Sequence, residues 1–152
     1  MKKILYIIAS IILLASCEQE KTIAEKLIGD WHCTSTAIDA EIYVSFNAEN
    51  TFMLYQQIGE GAFRVYNGTY ELKAEGSQHT LVGAYNDGTP WSAEYILNMS
   101  GTDAMTLTAA DITETYTRVP VGIPAEVTSS AVVVVKSENA SVTSVADALP
   151  FL

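Results

Sequence analysis

From Asp30 to Val119 apolar and polar side chains alternate in short runs with a period of two, the spacing of strands buried on one face. Ile42, Val44 and Phe46 alternate with Glu41, Tyr43 and Ser45, and Phe52, Leu54 and Gln56 oppose Met53 and Tyr55. Phe63 to Leu72 puts Arg64, Tyr66, Gly68, Tyr70 and Leu72 on one face, and Trp91 to Met99 does the same for Trp91, Ala93, Tyr95, Leu97 and Met99. Thr80 to Tyr85, the run around Met105 and Leu107, and Ile112 to Val119 add further strands. Asn47-Ala48-Glu49-Asn50, Glu75-Gly76-Ser77, Asn86-Asp87-Gly88 and Ser100-Gly101-Thr102-Asp103 separate them with turn chemistry, the third being a strong hairpin signal. Counted from the run that opens at Trp31, the pattern predicts about eight short strands and no helix of useful length. The fold class expected is all-β, an eight-stranded antiparallel up-and-down barrel, because closure removes exposed edges.

Two segments before the strands read differently. Lys2 and Lys3 precede the apolar stretch Ile4 to Ala15, a positive start with a short apolar middle, as in a secretory signal peptide over residues 1–16. At 12 residues that stretch is too short for a spanning helix, which needs about 20. Leu14-Ala15-Ser16-Cys17 resembles the bacterial lipoprotein box, in which the cysteine thiol is acylated and becomes the new N-terminus. Residues 17–26 are then a lipidated tether, ending in Thr22-Ile23-Ala24-Glu25, whose spacing is that of a capping box and predicts a helical turn to Leu27-Ile28, closed by Gly29.

Past Val119 the texture changes again. Pro120 and Pro124 make the chain read as a linker or extended crossing, and Ala131 to Val135 is a dense β-branched run that must pair, against the barrel wall or as its own hairpin with a weaker strand around Val142 to Val145. Residues 120–152 are therefore expected to form an extended or hairpin-like extension, with the apolar ending Ala148 to Leu152 docked.

The chain has 8 basic and 18 acidic residues; without Lys2 and Lys3 the balance is 6 against 18, a formal −12. Such a charge excludes nucleic acid as a partner and argues against adhesion to anionic lipid through a basic patch, so attachment to a membrane rests on acyl chains at Cys17. With Cys17 acylated, Cys33 has no intramolecular partner and reads as a buried, inert thiol. Two histidines, His32 and His79, do not suffice for a cysteine–histidine zinc site, and both read as solvated or locally hydrogen-bonded. No metal site and no cofactor are expected.

The stretch Leu27-Ile28-Gly29-Asp30-Trp31 opens the first strand, and Tyr116-Thr117-Arg118-Val119 ends the last. This resembles the lipocalin-like (calycin) pattern and, more narrowly, the lipocalin-like lipoproteins of Bacteroidetes, with Phe46-Asn47-Ala48-Glu49-Asn50-Thr51-Phe52 as a matching hairpin and Gly68-Thr69-Tyr70 in the strand after it. The resemblance covers residues 27–119 and implies that Gly29, Trp31 and Arg118 close one end of the barrel. It departs from the family in residues 120–152, where a helix would stand. Glu18-Gln19-Glu20 loosely resembles the acidic stretch that directs such lipoproteins outward, so the expected location is the outer membrane, with the cell surface favoured over the periplasmic face.

No catalytic constellation can be assembled, and the chain is not expected to be an enzyme: no Gly-x-Ser-x-Gly elbow, phosphate loop, calcium loop or dinucleotide fingerprint is present. Glu114 shares a face with Tyr116 and Arg118 and reads either as half of a buried Glu114–Arg118 ion pair or as an acid inside a ligand cavity. Tyr66, Tyr70, Trp91, Tyr95, Met99, Met105 and Tyr116 fall on the expected interior, as plain core or as the walls of a site for one small apolar or amphipathic ligand. The competing reading is a non-enzymatic interaction module whose barrel surface or loops bind an envelope protein partner.

Overall fold

The computed structural model describes residues 21–35 and 39–134. Cys17, the signal peptide, the start of the tether, Val135, the strand expected around Val142 to Val145 and the apolar ending lie outside the described residues.

Eight strands form a closed antiparallel up-and-down barrel: β1 (Gly29–Ser35), β2 (Ala40–Phe46), β3 (Thr51–Ile58), β4 (Arg64–Glu75), β5 (Gln78–Tyr85), β6 (Tyr95–Ser100), β7 (Ala104–Ala109) and β8 (Ile112–Arg118). Each pairs with the next, and β8 returns to β1 with Trp31 opposite Arg118, Cys33 opposite Tyr116, and an irregularity between Cys33 and Ser35. The inward faces are those the alternation predicts. Ile42, Val44, Phe46, Phe52, Leu54, Leu81, Leu97, Met105 and Leu107 are all buried in one cluster, while Glu71, Lys73, Asn98 and Thr117 on the alternate positions face out. An apolar interior with a polar exterior is the reverse of a lipid-spanning barrel, whose apolar band faces outward.

The capping box is formed before the first strand. Thr22 Oγ1 accepts from Glu25 N at 3.2 Å and Glu25 Oε2 accepts from Thr22 N at 2.8 Å, starting α1 (Ile23–Leu27). These reciprocal bonds satisfy two donors that a helix start leaves orphaned, and they hold the Glu25 carboxyl below the usual range. Gly29 follows at φ +133°, where a Cβ would also collide with the Arg118 guanidinium, so this turn admits only glycine.

Two expectations are corrected. The run from Trp91 is not a continuous strand: Pro90 makes a single bridge to Ala84, residues 91–94 bulge, and regular pairing resumes only at Tyr95, opposite Leu81. Pro90 has no N–H to extend the ladder. The turn before it is real, with Gly88 at φ +88° and Tyr85 N donating to Thr89 O at 2.8 Å. The second correction concerns the tail, which holds a helix, α2 (Ala125–Ser130), where an extended or hairpin segment was expected. Pro124 at its N-cap offers no side-chain cap, and the helix is held instead by burying Val127 against Tyr55 and Val65 on the outer face of β3 and β4, with Tyr43, Phe63, Ile123 and Ala131 around them. The valine run then pairs in parallel as β9 (Val132–Val133), with Arg64 opposite Val132 and Val65 opposite Val133.

That pairing follows from a mismatch in strand length. Residues 64–69 of β4 pair with β3, residues 68–75 pair with β5, and the first residues of β4 therefore have one edge that β5 does not reach. β9 covers that edge, with Val132 N donating to Phe63 O at 2.8 Å and Val134 N to Val65 O at 3.0 Å. An uncovered edge beside a barrel mouth is an aggregation liability, and this seam removes it.

Candidate functional site

The register separates the barrel into two ends. At one end lie α1, the turns at 47–50, 76–77 and 101–103, and the exit from β8; at the other are the connections at 59–63, 86–94 and 110–111.

The first end is closed. Trp31 is fully buried and its Nε1 donates to Leu27 O at 2.8 Å, tying α1 under the barrel. The Arg118 guanidinium lies 4.3 Å from the centre of the Trp31 ring, the contact that the resemblance implies. Arg118 also donates through Nε to Thr102 O at 2.8 Å, through Nη1 to Ile28 O at 2.9 Å, and through Nη2 to Lys26 O. One planar group thus links α1, the 101–103 turn and β8. A lysine in its place would offer a point charge without the fork.

The interior above this plug is packed with rings. Phe46 meets Tyr70 edge-on at 5.0 Å, Phe52 meets Trp91 at 5.1 Å, and Trp91 meets Tyr95 at 6.0 Å. Trp91 reaches this position because Gly83 has no side chain; a Cβ there would overlap the indole Cζ2 and approach Thr69 O. Tyr70 anchors its hydroxyl on Asn47 O at 2.9 Å. Of the seven residues expected on the inner face, Tyr66, Tyr70, Trp91, Tyr95, Met105 and Tyr116 belong to the buried core cluster, and Met99 packs half-buried against it.

Glu114 is the polar exception within that core. It is 3% exposed, Tyr116 Oη donates to its Oε2 at 2.6 Å, and its Oε1 has no hydrogen-bond partner among the described residues. Burial raises its pKa to about 7, against the lowering effect of the Tyr116 hydrogen bond. Tyr116 is itself pushed well above its ordinary value, first by burial and then by the charge of Glu114. The Glu114–Arg118 ion pair does not form. Four residues along a strand span about 13 Å, so the two share a face while Arg118 is held at the closed end.

At the second end a cleft of about 460 Å³ opens between the barrel mouth and β9. Gln56, Ile58, Gly61, Ala62, Arg64 and Tyr66 line it from β3, β4 and their connection, and Val132 and Val134 line it from the tail. Gln56 and Arg64 are direct cross-strand partners, so the amide and the guanidinium stand side by side on the inner face. Of the seven, Tyr66 lines this cleft. The others serve the core, and the cleft residues Arg64, Gln56, Ile58, Ala62, Val132 and Val134 were not singled out as a site by the sequence. A cation on an inward position at the start of a strand was the available signal.

The histidines lie elsewhere. His32 is on the outer face of β1, stacked on Tyr43 at 4.5 Å with its Nε2 2.9 Å from Glu41 Oε1. His79 is half-buried in β5 opposite Leu97 and Ala74. Cys33 is buried and in no disulfide. Among the described residues no group of three or more His, Cys, Asp or Glu side chains is gathered as a metal site would require. No helix among them is long and apolar enough to cross a membrane.

Compared with known proteins, the chain matches no family model, no curated protein and no solved structure, so fold and site stand on their own geometry.

Proposed function

We propose that the chain is a lipocalin-like lipoprotein of the Bacteroidetes type, held at the outer membrane by acylated Cys17, and that its barrel binds one small apolar or amphipathic ligand. The observation that carries the ligand reading is the cleft at the barrel mouth: its volume of about 460 Å³ falls within the range of small-molecule sites. Its walls combine aliphatic groups with a few convergent polar ones, the composition such sites share. The aromatic interior supports the site as a rigid floor. The anchoring reading is supported by the Leu14-Ala15-Ser16-Cys17 box and by an outer wall that is largely polar away from the apolar patch covered by α2, which leaves the attachment to acyl chains.

Two experiments test these halves separately. Native mass spectrometry of the protein purified from its host should find a small mass travelling with the barrel, absent from Ala62→Trp, whose indole occupies the cleft rim from an exposed loop position. Equal spectra for the two proteins, without a co-purifying species, would sink the ligand reading. Cys17→Ser should move the protein from the membrane pellet to the soluble fraction with its barrel intact. Retention of that variant in the pellet would overturn the anchor.

A further inference from the structure

We infer that the closed end of the barrel rests on the lipid surface, that the turn at 119–122 dips Val121 into its interface, and that the mouth points away from the membrane. The inference rests on the anchoring reading above and goes beyond it by naming the face that meets the bilayer.

The tether sets the first limit. Four residues separate Cys17 from Thr22, and the peptide steps between them reach at most about 18 Å. Thr22 caps α1, which is fixed under the closed end by Trp31 Nε1 on Leu27 O and by Arg118 on the Lys26 and Ile28 carbonyls. β3 and β4, of 8 and 12 residues, stand roughly 20–30 Å tall at the usual tilt of barrel strands. A barrel with its mouth on the bilayer would therefore hold Thr22 farther from the acylated cysteine than the tether reaches. A barrel on its side would press outward positions such as Glu71 and Asn98 into the interface, where they lose hydration. The closed end is the face that remains.

Val121 stands out at that end. It is 93% exposed, more than any other large apolar side chain among the described residues; Val133, beside the mouth, follows at 67%. The turn that presents it is built to hold it out. Val119 N donates to Asp30 O at 2.8 Å, continuing the β1–β8 ladder, and Gly122 N donates to Val119 O at 3.2 Å. Pro120 fixes the entry to this turn, and Gly122 at φ +86° completes a reversal that side-chain-bearing residues rarely make. Carried on past Trp31 opposite Arg118, the register sets Val121 level with Ile28, the exposed C-cap of α1. Two apolar side chains thus share the level from which the tether leaves. A valine held in water by a fixed turn gains by entering the boundary between headgroups and acyl chains. Charge contributes little, because Glu25, Asp30 and Asp103 share this end with Lys21 and Lys26. Neutral lipid is therefore the fitting partner.

The test uses the acylated mature chain in vesicles of dioleoylphosphatidylcholine, with a nitroxide on Val121→Cys or on Glu60→Cys in the 59–63 connection at the mouth. Both positions are exposed and Cys33 is buried, so the label goes to the new thiol and the fold is kept. Paramagnetic relaxation should show the label at position 121 colliding with oxygen several-fold more often than with a water-soluble nickel chelate. The label at position 60 should show the reverse. Val121→Asp should lower the oxygen preference of a third label, placed on Ile28→Cys. A label at 121 as open to nickel as the one at 60, or a label at 60 within the lipid, overturns the orientation while the anchor stands. Shielding of position 121 from both reagents reports a protein contact and overturns the lipid assignment. A label at 28 indifferent to Val121→Asp overturns the part given to Val121. If the parent chain does not float with the vesicles, anchor and orientation fall together.

Discussion

Trp31→Ala is expected to cost the barrel about 3–5 kcal/mol, the range for deleting a large buried aromatic side chain. Trp31 is fully buried, so its removal leaves a void at the closed end that α1 and β8 cannot both fill. The loss has two further parts. The Leu27 carbonyl loses the indole N–H that it accepts at 2.8 Å, and Arg118 loses the ring 4.3 Å beneath its guanidinium. For a domain of this size the midpoint of thermal unfolding should fall on the order of 20 °C. Trp31→Phe separates the contributions, because it keeps most of the volume and a ring for Arg118 while deleting the N–H. Its loss should be nearer 1–2 kcal/mol. Urea denaturation of the three proteins measures both differences. A Trp31→Ala variant within about 1 kcal/mol of the parent would mean that the closed end is not where the barrel stores its stability.

The pH dependence of stability should carry a distinct contribution from Glu114. Its carboxyl titrates near 4.5 in an unfolded chain and near 7 inside the barrel, so the folded protein holds a proton that the unfolded chain releases. The stabilisation is fully present below about pH 4.5 and is lost as pH rises through 7, where the buried group must ionise. The difference corresponds to about 3 kcal/mol between the two limits. Glu114→Gln retains the acceptor for Tyr116 and cannot ionise, so its stability relative to the parent should improve by about that amount between pH 4.5 and pH 8.5. Comparing the two proteins cancels the many surface carboxylates, which both share. A difference that stays flat across this range would show that Glu114 is solvated or paired in the folded state.

How much of this was legible beforehand differs by element. The inward positions of β2, β3, β4 and β8 follow directly from alternation, because a strand sends successive side chains to opposite faces whatever surrounds it. The capping box at Thr22 was equally readable, since its two hydrogen bonds close over three residues. The role of Arg118 came from resemblance, and its three carbonyl partners, Lys26, Ile28 and Thr102, could not have been named from spacing. Glu114 shows the limit most clearly. Its face was correctly inferred, yet sharing a face with Arg118 said nothing about contact, since strand rise separates them by about 13 Å. The helix at Ala125–Ser130 was missed for a related reason: six residues cannot sustain a helix by propensity, and what holds them is Val127 on a wall built from β3 and β4.

The sequence by itself therefore determined the local terms: which residues form strands, which face of each is apolar, where the turns fall, and the excess of acid over base. Only the tertiary structure decided which inward residues become core and which line the cleft. Of the residues expected either as plain core or as the walls of a ligand site, most pack in the core, while Tyr66 reaches the cleft that lies above them, where β4 outruns β5 and the tail covers the exposed edge. That choice depends on strand lengths and register between segments some seventy residues apart, such as Arg64 and Val132. Period-two alternation records the face of a side chain and carries no information about its height in the barrel or its neighbour across it.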